Sequence, residues 1–210
     1  MKYSFRFYPA LAVMLIAASV QGLAQTGKDA QGAQEQAASP FPRIAYDERA
    51  WKPFESTEGG FTIAFPGKPG FQIQTVEAAI GNLFNKTYGL DIGVCFFAVS
   101  FADYPAPVPL HDKELINRSL DAGRDRALAG TGSKLISEAP LTLDGYIGRY
   151  VLSADGEGMT HNQSYVVGNR FYQVSVRTDD YRNSPAADQK FFKDLVNRFF
   201  TSFKLTRKAY

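Results

Sequence analysis

The chain has 210 residues, of which 23 are basic and 21 acidic, and its only cysteine is Cys95. A single cysteine excludes an intramolecular disulfide and a cysteine-based metal centre. The near balance of charge gives no electrostatic reason to expect nucleic acid or an anionic membrane as a partner.

The N-terminus carries the pattern of a signal peptide. Lys2 and Arg6 precede an uncharged apolar run, and the small residues Gly22 and Ala24 stand where signal peptidase cuts. The run is too short to span a bilayer, which needs about 20 apolar residues. We therefore predict that residues 1–24 are removed on export, which leaves a neutral mature chain with 21 basic and 21 acidic side chains. An uncleaved membrane anchor is the alternative.

Residues 25–43 form the next segment, which is rich in Gln, Ala, Gly and Ser and has almost nothing to bury. This composition predicts a disordered linker. The remaining residues, 44–210, suit a single domain of ordinary size, and their many aromatic side chains can supply its core.

Four strands are predicted in the first half of this domain. Alternation of apolar and polar residues predicts strands in "GGFTIAFP", "FQIQTVEA" and "NLFNKTYGL". A fourth, "VCFFAVSFADY", is apolar on both faces, which predicts a central strand covered on both sides. Cys95 lies in this strand, so we expect an inert buried thiol, with a reactive thiol as the alternative.

Two helices are predicted further along the chain. Residues 111–132 have an apolar stripe at helical spacing, with Asp112 as the N-cap and Gly123 positioned for close packing on a sheet. Near the C-terminus, "SPAADQKFFKDLVNRFFTSFKL" predicts a helix with Ser184 as its cap and Pro185 at its first position.

Strand patterns separated by turn residues lie between the two helices. The Asp-Gly pairs at 144–145 and 155–156, and Gly168-Asn169, mark tight turns between strands. Consecutive hairpins produce an antiparallel sheet. The predicted fold is therefore α+β, with an antiparallel sheet of about six to eight strands and helices packed on its faces.

The stretch "GGFTIAFPGKPG", residues 59–70, raises the question of a glycine-rich phosphate loop. Such a loop needs Ser or Thr directly after Gly-Lys, followed by a helix. Here Pro69 follows Lys68, and the next pattern is a strand. Because Pro66 and Pro69 lack a backbone N–H, the stretch is interpreted as a strand end followed by a turn.

Four short motifs resemble PsbP-like proteins: "FESTEGGFTIAFPGKP", "LTLDGYIGRY", "YVVGNRFYQVSV" and "FFTSFKL". The resemblance covers residues 54–205 and includes secreted bacterial proteins of unknown function. It implies an antiparallel sheet sandwiched by helices. Known members, such as the extrinsic PsbP subunit of photosystem II and a eukaryotic Ran-binding import factor, are binding or accessory proteins. The matching positions are strand and turn residues, so the resemblance implies no functional residue.

Few side chains are candidates for catalysis. His111 precedes Asp112, whose capping role already explains the pair, and His161 lies three residues before Ser164 in a strand, where the two face opposite sides. The polar loop at residues 178–185 could touch a ligand, although a solvated turn explains it as well. We predict no catalytic, cofactor-binding or metal-ligating residue.

The sequence as a whole predicts an exported, non-catalytic binding or accessory protein of the bacterial cell envelope, periplasmic or extracellular. Its expected partner is another envelope protein or a small ligand, and not nucleic acid. No transmembrane segment is expected in the mature chain. The alternative is an envelope hydrolase that uses His161 or His111.

Overall fold

The computed structural model describes residues 39–78, 81–106, 108–109 and 111–206, which form ten strands, two α-helices and a short 3-10 helix at Glu48–Ala50. The strands are β1 (Lys52–Ser56), β2 (Phe61–Phe65), β3 (Gly70–Ala78), β4 (Gly81–Asp91), β5 (Cys95–Asp103), β6 (Lys134–Leu143), β7 (Tyr146–Ala154), β8 (Gly158–Val167), β9 (Arg170–Asp179) and β10 (Lys204–Leu205). The α-helices are α1 (Lys113–Thr131) and α2 (Ala186–Ser202). The predicted signal peptide and most of the predicted linker lie outside the described residues.

The strands form two antiparallel sheets. The large sheet has seven strands in the order β3-β4-β5-β9-β8-β7-β6, and the small sheet has the order β1-β2-β10. The α+β class and the antiparallel pairing are confirmed, but the prediction of one sheet is wrong. The alternating pattern of β2 identifies it as a strand. Its partners, however, are β1 and the distant β10, and alternation within one strand does not indicate which strands it pairs with.

The middle of the large sheet agrees with the sequence pattern. β5 lies between β4 and β9 and is buried along most of its length, as its apolar character on both faces predicted. β8 and β9 are joined by the turn Gly168-Asn169. Their pairing begins with Val167 opposite Arg170 and continues away from the turn. Gly168 has a φ of +61°, a conformation that glycine adopts without steric cost.

Helix α1 covers one face of the large sheet above β7 and β8. Asp112 caps it by accepting a hydrogen bond from the backbone N–H of Leu115 at 2.8 Å, as predicted. Ile116 and Leu120 are its buried side chains. Gly123 faces the ring of Phe171 so closely that a Cβ there would lie 2.6 Å from the ring carbon Cζ, which confirms that this glycine permits close packing.

We expect Gly123→Leu to lower the free energy of unfolding by about 1–3 kcal/mol, because the added side chain must displace Phe171 or lift the helix. The matched control is Ala122→Leu at the neighbouring exposed position, which should stay within about 0.5 kcal/mol of wild type. Urea denaturation of the three proteins measures both values. Equal stability of the two variants would contradict this packing.

Helix α2 and the small sheet cover the opposite face of the large sheet. The buried side chains of α2 are Phe192, Leu195, Val196, Phe199 and Phe200. Those of β2 that join the same core are Phe61, Ile63 and Phe65. Aromatic packing therefore joins both sheets and the helix into one core.

Two predicted boundaries differ from the structure. α2 begins at Ala186 with Pro185 as its N-cap residue and no side-chain cap bond, so the prediction that Ser184 caps the helix is wrong. The predicted linker, residues 25–43, also contains ordered contacts at its end. Phe41 is buried, with its ring centroid 5.3 Å from that of Phe96, and the Pro42 carbonyl accepts a hydrogen bond from the N–H of Asp91 at 3.0 Å.

Candidate binding surface

The β3–β4 hairpin carries large apolar side chains on its surface. Phe71 is 42% exposed, Ile73 53% and Phe84 59%. The strand register places Phe71 opposite Tyr88, Ile73 opposite Lys86, and Thr75 opposite Phe84. Directly opposed residues of an antiparallel pair lie on the same side of the sheet. Phe71, Ile73 and Phe84 therefore form one surface, which we call the hairpin face.

Side chains of the adjacent strands and of the small sheet contact the edge of the hairpin face. The rings of Phe71 and Tyr88 are 4.8 Å apart, and Tyr88 in turn packs 4.8 Å from Phe54 in the small sheet. Lys86 forms an ion pair with Glu58. A continuous antiparallel strand pair thus presents the exposed side chains, and neighbouring apolar side chains exposed together are typical of an interaction site.

His161 lies on the side of the large sheet covered by α2, and it is buried. Its Nδ1 is 2.7 Å from the hydroxyl of Tyr150, and its Nε2 is 3.1 Å from that of Tyr181. A neutral imidazole has one N–H donor and one acceptor nitrogen, so one tyrosine donates to it and the other accepts from it. Both ring nitrogens are occupied, and neither is available as a base for Ser164.

Burial lowers the pKa of His161 to about 4, because the charged imidazolium would lose its hydration. Burial likewise raises the pKa of Tyr150 to about 12, and the nearby Tyr181 adds to this. All three groups are therefore neutral at pH 7. They form a hydrogen-bonded cluster in the core in which both ring nitrogens of His161 have a tyrosine partner.

His111 is exposed, directly before α1. Helix α1 covers the face of the sheet opposite to His161, so the two histidines do not belong to one site. The register also confirms the opposed directions of His161 and Ser164: His161 pairs with Val176 of the α2-side core, and Ser164 pairs with Gln173. In the part of the chain that the structure describes, no cluster of three His, Cys, Asp or Glu could hold a metal ion.

The polar loop predicted as a possible ligand contact is divided in the structure. Tyr181 is buried, stacks on Phe192 with ring centroids 5.2 Å apart and binds His161. Asp180 and Arg182 form an exposed ion pair at 2.5 Å. The aromatic member of the loop thus belongs to the core, and Asp180 and Arg182 satisfy each other.

Cys95 is a free, buried thiol at the start of β5. Burial raises its pKa, and the negative charge of Asp91 acts in the same direction, so the reactive thiolate is not populated at neutral pH. We expect a thiol reagent to leave the native protein unlabelled and to react stoichiometrically once the protein is unfolded in denaturant. Rapid labelling under native conditions would contradict the buried placement.

A polar layer crosses the large sheet on the side of α1, and sequence reasoning missed it. The hydroxyls of Thr87 and Ser100 are 2.8 Å apart, and Ser175 donates to Asn162. All four side chains are buried, as is Asn85, whose Oδ1 has no partner among the described residues. The signal was available in the alternating polar residues of "LFNKT" and "FYQVSV", but alternation alone is equally typical of a solvated face.

A buried ion pair lies at the end of this layer. The guanidinium of Arg177 donates to both oxygens of Asp155, at 2.6 and 2.9 Å. Burial by itself would raise the pKa of Asp155, but the hydrogen bonds and charge of Arg177 outweigh it and hold that pKa below its usual value. Asp155, predicted only as a turn residue, thus also anchors the arginine.

Comparison with solved structures gives a distant likeness in fold. No protein-family model matches the chain, and no curated protein matches it. The solution structure of cyanobacterial PsbP (CyanoP) from Synechocystis sp. PCC 6803 matches with a TM-score of 0.46 and 14% identity, over 83% of this chain and 98% of that one. The match agrees with the resemblance to PsbP-like proteins predicted from the sequence motifs. A likeness of this size concerns the fold alone.

No described helix is long and apolar enough to cross a membrane.

Proposed function

We propose that this protein is an exported, non-catalytic binding or accessory protein of the bacterial cell envelope, and that it binds a partner protein through the hairpin face. The observation that carries the proposal is the exposure of Phe71, Ile73 and Phe84 together on one antiparallel strand pair. Each exposed apolar side chain is hydrated in the free protein. Covering the three of them would contribute favourable free energy to an association.

The export component rests on the signal pattern of residues 1–24, with its charged start, short apolar run and small residues at the cut site. The choice of a protein partner rests on the chemistry of the hairpin face. Two phenylalanine rings and an isoleucine lie exposed on adjacent strands at the surface of a sheet, whereas small-molecule sites are usually concave clefts.

The proposal that the protein is not an enzyme is supported by the surroundings of His161 and His111, the two residues on which the hydrolase alternative depends. Tyr150 and Tyr181 occupy both nitrogens of His161, and burial holds that histidine neutral. His111 stands exposed on the far side of the sheet. A hydrolase would need a base aligned with a nucleophile, and the tyrosine partners of His161 do not supply one.

The experiment is site-specific photo-crosslinking in cells that export the protein. A photoreactive phenylalanine analogue at position 84 should give a covalent adduct with a partner of defined mass. The matched control places the same analogue at position 136, since Ile136 is also exposed, at 40%, but lies on β6 at the other end of the sheet.

An adduct from position 84 and none from position 136 is the expected result. Adducts of equal yield from both positions, or from neither, would overturn the assignment of the hairpin face.

A further inference from the structure

The two edges of the large sheet differ in how they discourage pairing with other strands. Among the described strands, β3 and β6 are the edge strands. β6 carries Pro140, charged residues at Lys134 and Glu138, and a register irregularity between Leu135 and Ser137. Each of these features hinders the addition of a further strand.

β3 has almost none of these protections. Its nine residues, "GFQIQTVEA", include no proline and no basic residue, and its one charge, Glu77, lies near its end. Its pairing with β4 is continuous from Gly70 to Ala78 without a bulge. An extended, regular and largely uncharged edge strand is a template for intermolecular strand pairing.

We propose that the edge of β3 pairs antiparallel with β3 of a second copy of this chain, about a twofold axis at Ile73. This proposal goes beyond the docking of a partner on the hairpin face, because it concerns the backbone edge of the strand. It does not depend on that docking.

The self-pairing is favoured by the order of side chains along β3. A twofold axis perpendicular to the sheet keeps each side of the sheet continuous, so residues of the hairpin face must oppose each other. Centring the axis on Ile73 places Ile73 against its own copy and Phe71 against Thr75. On the other side, Gln72 opposes Gln74, and their side-chain amides can form hydrogen bonds with each other.

Comparison with the register centred on Gln74 shows why the axis is placed at Ile73. Centring on Gln74 would place Phe71 opposite Glu77 and Gln72 opposite Val76, which pairs polar or charged groups with apolar ones twice. Aromatic residues opposite β-branched residues are favourable pairs in antiparallel sheets. The Ile73 register has two such pairs and leaves Glu77 outside the apolar contacts.

The assembled dimer would extend the hairpin face across four strands. Across the axis, Tyr88 and Phe71 of one copy would align with Thr75 and Phe84 of the other, as the β3–β4 register dictates. Net charge does not oppose the approach of two copies, because the mature chain is predicted to have equal numbers of acidic and basic side chains.

Disulfide trapping tests both the pairing and its register. Ile73→Cys should form a covalent dimer under mild oxidation, because directly opposed residues bring their Cβ atoms to about 4.5–5.5 Å. Thr75→Cys alone should not, because its own copy lies about 14 Å away, four residues along the strand. Mixing Phe71→Cys with Thr75→Cys should restore the crosslink. The buried Cys95 contributes no background.

Sedimentation analysis of the mature chain provides the second measurement. The wild type should sediment with twice the monomer mass and dissociate on dilution. Ile73→Lys should be monomeric at every concentration, since it opposes two ammonium groups on the axis. Leu135→Lys on β6 is the matched control and should remain dimeric.

A monomeric wild type without a disulfide in Ile73→Cys would overturn the proposal, as would a crosslink from Thr75→Cys alone. The photo-adduct expected from position 84 would survive either result, so the two proposals fail separately.

Discussion

Phe199→Ala should lower the free energy of unfolding by about 3–5 kcal/mol, the loss typical of a fully buried phenylalanine. Phe199 is fully buried, with its ring 5.2 Å from Phe65 in the small sheet and 4.9 Å from Phe97 in the large sheet. Removing the ring leaves a cavity where α2 meets both sheets, and the rigid surroundings cannot close it fully.

The matched control makes the same chemical change on the hairpin face. Phe84→Ala removes an identical ring that is 59% exposed, so its stability should stay within about 0.5 kcal/mol of wild type. Denaturant titration of both variants measures the contrast. A comparable loss of stability in Phe84→Ala would mean that Phe84 belongs to the core, and it would remove the basis of the proposed binding surface.

Acidification from pH 6.5 to pH 4 should destabilise the wild-type protein by about 3 kcal/mol through His161 alone. The pKa of His161 falls from 6.5 to about 4 on folding because the ring is buried. Between these two values the unfolded chain binds a proton that the folded protein does not, so stability declines as the pH falls. Below about pH 4 the folded protein is protonated as well, and this loss ends.

The variant His161→Gln separates this effect from other acid-dependent terms. Glutamine can still bond to a tyrosine hydroxyl but does not titrate, so its stability should be nearly independent of pH within this window. His111→Gln is the matched control and should retain the wild-type pH dependence. The depressed pKa values of Asp155, Asp121 and Asp180 begin to matter only below about pH 5, at the acid end of this window, and they act equally in all three proteins. An unchanged slope in His161→Gln would contradict the buried neutral imidazole.

Local patterns in the sequence were sufficient to predict most elements of the fold. The period of apolar residues identified α1, and turn residues such as Gly168 located the hairpins. The sequence did not predict β1, because its five residues, "KPFES", include a proline and show little alternation. It did not predict β10, because that strand has only two residues. The division into two sheets depends on pairing between the two ends of the chain, which no local pattern encodes.

The candidate binding surface could be predicted only in part. The alternation of Phe71 and Ile73 shows that they share one side of a strand, but exposure depends on where the small sheet and α2 end. His161 shows a similar limit. The spacing predicts that it faces away from Ser164, but its actual partners, Tyr150 and Tyr181, are brought to it by strand pairing and by the loop before α2, which the spacing does not reveal.

The central claim is that the hairpin face is free in the isolated protein and covered by a partner in the envelope. Cysteine accessibility tests it directly, because the only native thiol is buried. In dilute purified protein, Phe84→Cys and the control Leu135→Cys should both react rapidly with a water-soluble maleimide. In intact cells, labelling at position 84 should fall at least tenfold while labelling at position 135 is unchanged. Equal labelling of the two positions in the envelope would contradict the account.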